Sequence, residues 1–119
     1  MENKENQELN KQELSKQGKL PMHLISPLWN EGLAKVMKFG AEKHGVNSWL
    51  KDPMKYNHLI GAYKRHLNAW ERGMSLDEES NQNHLLHAAT NILMIYHYES
   101  SLNHNAIDDR VFDDIYLRL

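Results

Sequence analysis

Three histidines stand where two helices would bring them together: His66 in one apolar-patterned stretch, and His84 and His87 in the next. The i, i+3 spacing of His84 and His87 puts both on one helix face. Imidazole is both a metal ligand and a hydrogen-bonding group that titrates near neutrality. Asp77, in the connection between the two stretches, supplies a carboxylate, and histidine with carboxylate suits Zn, Mn or Fe. Asp77, His84 and His87 are thus the metal candidates, but this spacing alone defines no site and no metal is assigned. The same residues fit two other roles. One is contact with an anion or nucleotide. The other is structural, as half-buried imidazoles bonded to backbone or to Asn91. His23, His44, His58, His97 and His104 are scattered.

A second group is basic and aromatic. Lys43, Asn47 and Trp49 fall in one short stretch, followed by Lys64, Arg65 and Arg72. Arg and Lys neutralise phosphate, and an aromatic face stacks on a base. Trp49 reads either as that face or as a core anchor, and Trp70 as a core anchor. A third pattern is absent. All-helical nucleotide pyrophosphohydrolases hold Mg²⁺ with carboxylates facing one another from two helices. Glu31, Glu42, Glu71, Glu78, Glu79, Glu99, Asp108, Asp109, Asp113 and Asp114 form no ExxE plus ExxD pair. Asp109 and Asp113, at i, i+4, come nearest. The sequence has no glycine-rich phosphate loop and no Ser-based or Cys-based nucleophile system.

The elements that must position these groups are helical. Ser26 and Pro27 read as N-cap and N1 of a helix over about 27–42, with Leu33, Val36, Met37 and Phe39 on its apolar face. Gly45 and Asn47 tolerate the positive φ of a tight loop. A second helix follows Pro53 to about Arg72, with Tyr56, Leu59, Ile60, Tyr63, His66, Leu67 and Trp70 in one stripe and Arg65 and Arg72 on the other side. Gly73 suits a C′ position, and Ser80 or Asn81 reads as the cap of a third helix over about 82–102. Ile107, Val111, Phe112, Ile115 and Leu119 predict an amphipathic C-terminal helix over 107–119. The fold class is therefore all-α: a compact bundle of three main helices, a C-terminal amphipathic helix and a polar N-terminal arm. Residues 1–19 read as a flexible polar arm and 20–119 as a single helical domain.

Composition narrows the partners. The chain has 119 residues, a formal net charge of −2 and a pI of about 6.4, without the basic surplus of a duplex DNA binder. No apolar run approaches the roughly 20 residues that cross a bilayer. There is no cysteine, which fits a reducing, cytoplasmic setting. One small core leaves reason to expect a homo-oligomer.

From Pro21 to about Tyr98 the order of motifs resembles a phage-associated family, the N-terminal domain of dATP/dGTP diphosphohydrolase. The resemblance is carried by Phe39-Gly40-Ala41-Glu42-Lys43, Gly45, Asn47 and Trp49. It continues through Arg65-His66-Leu67, Trp70, Gly73, Asp77, Glu79 and Ser80, and ends on His84-Leu85, His87-Ala88-Ala89 and Asn91. His44 stands where the family usually has Tyr, and Asn81 where it has Gly. The resemblance implies a purine nucleotide ligand. Hydrolysis is implied less strongly, because in longer members a separate MazG-like portion brings the metal-binding carboxylates.

The resulting expectation is a phage-type protein that binds a phosphorylated purine nucleotide through Lys43, Asn47, Trp49, Arg65, His66, His84, His87 and Asn91. One use would be sequestering a nucleotide immune signal. The alternatives are a metal-dependent dATP/dGTP diphosphohydrolase, with Mg or Mn as cofactor, and a non-catalytic subunit of a nucleotide enzyme.

Overall fold

A computed structural model describes residues 4–16, 18–101 and 104–116. Its helices run in the order α1 (Lys4–Lys16), α2 (Pro27–His44), α3 (Ser48–Lys51), α4 (Tyr56–Glu71), α5 (His84–Ser101) and α6 (Asp113–Tyr116), with 3₁₀ turns at Met22–Leu24 and His104–Ala106. Among the described residues there is no strand, only an isolated bridge between Leu76 and Asn83. The all-α class and the three main helices stand as expected.

The bundle is α4 packed along α5, with α2 laid on α5. Gly32 permits the second contact: a Cβ there would lie 2.7 Å from the Leu86 methyl carbons. α4 and α5 are antiparallel, so each end of the pair joins the start of one helix to the end of the other. At one end lies the core. Tyr56, Leu59 and Tyr98 are buried, with Trp49, Met54, Ile60, Met94, Ile95 and Ile107 packed around them. The Tyr98 hydroxyl donates to the Trp49 carbonyl and so ties short α3 to α5. The opposite end carries the histidines.

Three elements differ from their sequence patterns. The N-terminal arm, patterned as a flexible polar tail, carries helix α1, exposed over 10–16. Its Glu, Gln, Lys and Leu are good helix formers. Helix α5 is capped by Asn83, whose Oδ1 accepts the Leu85 N–H at 2.8 Å, and not by Ser80 or Asn81. The predicted three-turn helix over 107–119 is the third. Residues 107–112 run irregularly, and only the short α6 is helical among the described residues of this segment. The hydrogen-bonding groups here are used elsewhere. The Ile107 carbonyl accepts the Tyr56 N–H at 2.9 Å, and the Asp109 carboxylate accepts the Asn57 N–H at 2.8 Å. These bonds satisfy N–H groups that the first turn of α4 leaves without intrahelical partners.

Candidate functional site

The connection from α4 to α5 is an ordered loop built around one carboxylate. Gly73, at φ 90°, turns the chain out of α4. Asp77 N–H donates to Gln82 O, Asn81 N–H to Asp77 O and His84 N–H to Ser75 O, each at 2.8 Å. Inside this frame Asp77 Oδ2 accepts from Glu79 N–H at 3.1 Å, Ser80 N–H at 2.9 Å and the Ser80 hydroxyl at 3.1 Å. Burial pushes the Asp77 pKa up, but the two Ser80 bonds together with His87 and His66 outweigh it and hold Asp77 below the usual carboxylate range. Asn81 adopts φ 60°, the left-handed conformation. Asn and Gly adopt this conformation more readily than other residues.

Above this loop the three imidazoles meet. His66 Nδ1 and His84 Nδ1 are 2.8 Å apart, so one carries the proton and the other accepts it. His66 stacks on His87 with ring centroids 4.6 Å apart and planes 10° from parallel. His87 Nε2 lies 2.6 Å from Ser80 Oγ. An ionised Asp77 only accepts, so the Ser80 proton points to Asp77 and His87 Nε2–H donates to Ser80. Burial lowers the pKa of both His66 and His87. His87 and His84 lower that of His66 further, whereas Asp77 opposes the shift at His87. At neutral pH both rings are neutral.

His66 and His87 face a cavity of about 660 Å³ whose lining also includes Phe39, Lys43, Asn47, Trp49, Asp77, Glu79, Asn91 and Met94. Lys43 Nζ donates to Glu79 Oε1 at 2.7 Å. Both partners are about half exposed, at 48% and 60%, so the bond is easily exchanged for a ligand anion. Asn47, at φ 59°, begins α3 and holds the loop against the cavity. Asn91 Nδ2 donates to the His87 carbonyl at 2.9 Å.

Six of the eight sequence-derived ligand residues therefore line one cavity: Lys43, Asn47, Trp49, His66, His87 and Asn91. Two do not. His84 is buried behind His66, and Arg65 lies on the exposed face of α4. Trp49 is half-buried against His97, with ring centroids 5.0 Å apart, and against Tyr98 at 5.9 Å, so it walls the cavity as part of the core. Trp70 is 43% exposed and does not anchor the core. The metal candidates also change. The compact donor group is His66, Asp77 and His84, whose donor atoms lie within 4.8 Å of one another. His87 is not part of that group, although its Nε2 lies 3.9 Å from Asp77 Oδ2. Ser80, which its sequence position offers as a helix cap, instead donates to Asp77 three residues earlier, and that spacing is an Asx-turn signal. The cavity's carboxylates, Asp77 and Glu79, are too few for the multi-carboxylate clamp that Mg²⁺ takes against a triphosphate.

Fold and site together define an all-helical bundle with a ligand-sized cavity whose polar side is lined by histidine, asparagine and lysine. The sequence model for "dATP/dGTP diphosphohydrolase, N-terminal" matches residues 9–110, and the chain belongs to that family. It is also 35% identical, over 80 residues, to a protein of Salmonella phage PMBT28 named dATP/dGTP diphosphohydrolase. That match covers 67% of this chain and 27% of the phage protein, so the chain corresponds to about a quarter of its relative. No solved structure matches. Among the described residues no helix is long and apolar enough to cross a membrane.

Proposed function

We propose that the cavity binds a phosphorylated purine nucleotide and that this chain alone holds it without rapid turnover. The observation that carries the reading is one cavity of about 660 Å³ joining Lys43, Asn47, His66, His87 and Asn91 to an apolar wall of Phe39 and Met94. That volume is within the roughly 300–1,000 Å³ of small-molecule sites. Lys43 exchanges Glu79 for a phosphate oxygen, and His87 adds a hydrogen bond. Asn47 and Asn91 meet polar edges of sugar or base, and Phe39 and Met94 cover the ring. Membership of a family named for dATP and dGTP supports a purine. The small number of cavity carboxylates supports retention over hydrolysis. A nucleotide signal of host defence held in this way would be withdrawn from its receptor.

Calorimetric titration with dATP, dGTP and dCTP, each also followed for diphosphate release, tests this. Purine binding is expected, with little release. Lys43→Ala and His87→Ala should each lose about 1.5–3 kcal/mol, roughly ten- to a hundredfold in affinity. Absence of binding to either purine nucleotide, or unchanged affinity in both variants, overturns the assignment. Rapid diphosphate release overturns the retention.

A further inference from the structure

We infer that His66, His84 and Asp77 form a binding site for a divalent transition-metal ion of the Zn²⁺ class. The three residues come from three separate elements: α4, α5 and the loop between them. Their donor atoms nevertheless lie within 4.8 Å of one another. Donors around a tetrahedral Zn²⁺ are separated by about 3.3 Å, given bonds of roughly 2.0–2.1 Å. The observed group needs a shift of about half an ångström at the imidazole pair and at most about 1.5 Å at the widest separation.

The arrangement of the pair is itself informative. Two imidazoles turn the same nitrogen, Nδ1, toward each other at 2.8 Å, a contact that needs a proton between them. A metal ion would take the place of that proton and accept both Nδ1 lone pairs, with the proton moving to Nε2 of the ring that carried it. Asp77 is already fixed as an outer shell would fix it. Glu79 N–H, Ser80 N–H and the Ser80 hydroxyl all bond to Oδ2. Such partners orient a ligating carboxylate and tune affinity. Two nitrogens and one oxygen favour Zn²⁺, Co²⁺, Mn²⁺ or Fe²⁺ over Mg²⁺, which prefers an all-oxygen octahedron.

The location indicates what the ion would do. His66 and Asp77 line the cavity, while His84 lies behind them. An ion held by these three ligands keeps a coordination position facing the cavity, as open zinc sites do. This role rests on the nucleotide reading above: the open position would take a phosphate oxygen of the ligand.

The experiment uses the full chain, stripped with chelator and free of nucleotide, so its failure is separable from failure of nucleotide binding. Titration with Zn²⁺, Co²⁺ and Mg²⁺ should show one Zn²⁺ or Co²⁺ per chain and no Mg²⁺ binding at matched concentration. Ser80→Ala should weaken Zn²⁺ binding roughly ten- to a hundredfold, as loss of an outer-shell partner does. Asp77→Asn and His66→Gln should weaken it more. Imidazole ¹⁵N resonances of the unmodified chain give a readout that does not depend on variant folding. Added Zn²⁺ should shift those of His66 and His84 and leave His23 and His58 in place. Absence of Zn²⁺ binding, or shifts confined to other histidines, overturns the site.

Discussion

At the scale of single residues, the site is governed by which groups stay neutral. The folded pKa values of His66 and His87 are lowered, first by burial and then by neighbouring imidazoles. Between those values and the ordinary value near 6.5, the unfolded chain binds protons that the native chain refuses, so stability rises with pH across that window. The thermal midpoint is therefore expected to fall as the pH drops from about 7.5 to 5.5. His66→Gln and His87→Gln should flatten the fall, and a profile equally steep in both variants counts against the assignment. Asp77 acts in a separate, more acidic window. Its lowered folded pKa stabilises the loop above about 4, an effect lost as pH falls through the folded value. With His66 and His87 neutral, the cavity's positive charge comes from its lysines, Lys38 and Lys43. Much of this constellation was legible, because i, i+3 spacing and the stripe on α4 direct His66, His84 and His87 to one side. Arg65 lies on the exposed face, about 100° around from His66, where its place opposite the stripe puts it, so helix geometry already argued against it as a cavity residue. Trp70 does lie on the stripe, four residues beyond His66, but it falls in the last turn of α4 and is 43% exposed.

At the scale of elements, capping decided what periodicity could not. Ser26-Pro27 marks the start of α2 in the sequence and the observed helix, Pro27–His44, obeys it, but the helix runs two residues past the expected end at 42, up to Gly45 at φ 102°. Ile107, Val111 and Ile115 keep a helical spacing, yet the chain over 107–112 is a strap across the start of α4. Apolar spacing cannot reveal that Asp109 and the Ile107 carbonyl are bound by another helix 50 residues earlier in the chain. The Asn57 amide also donates to the Asp109 carbonyl at 2.7 Å, so Asp109 holds both the backbone and the side chain of Asn57. Asp109→Ala keeps the carbonyl bond and removes the carboxylate that caps the first turn. A loss of about 1 kcal/mol is expected, read as a drop of several degrees in thermal midpoint. An unchanged midpoint would show that the strap contributes nothing to α4. Nucleotide affinity should survive the substitution, because the strap lies at the core end of the α4–α5 pair and the cavity's histidines at the other.

At the scale of the whole molecule, the isolated chain leaves much of its surface uncovered. It exposes 9528 Å², against about 6,700 Å² for a compact chain of 14.0 kDa. Its radius of gyration is 18.6 Å, against roughly 13.5 Å for a compact domain of this length. The terminal segments account for part of the difference, but apolar residues on the bundle itself are also exposed. On α5, Ile92 and Tyr96 stand one turn apart, 48% and 71% exposed, and on α2 Leu28 is 79% exposed. A second copy is an available cover for such faces, since identical chains pair most often through self-complementary patches. Light scattering at micromolar concentration should therefore report a dimer or larger assembly. Ile92→Lys with Tyr96→Lys should shift that equilibrium toward monomer, because each places a charge in an apolar contact. Ile92 and Tyr96 do not line the cavity, so purine affinity per chain should be retained. A monomer in the unmodified protein at that concentration would remove self-association as the means of covering these faces. The exposed face of α5 would then need another partner.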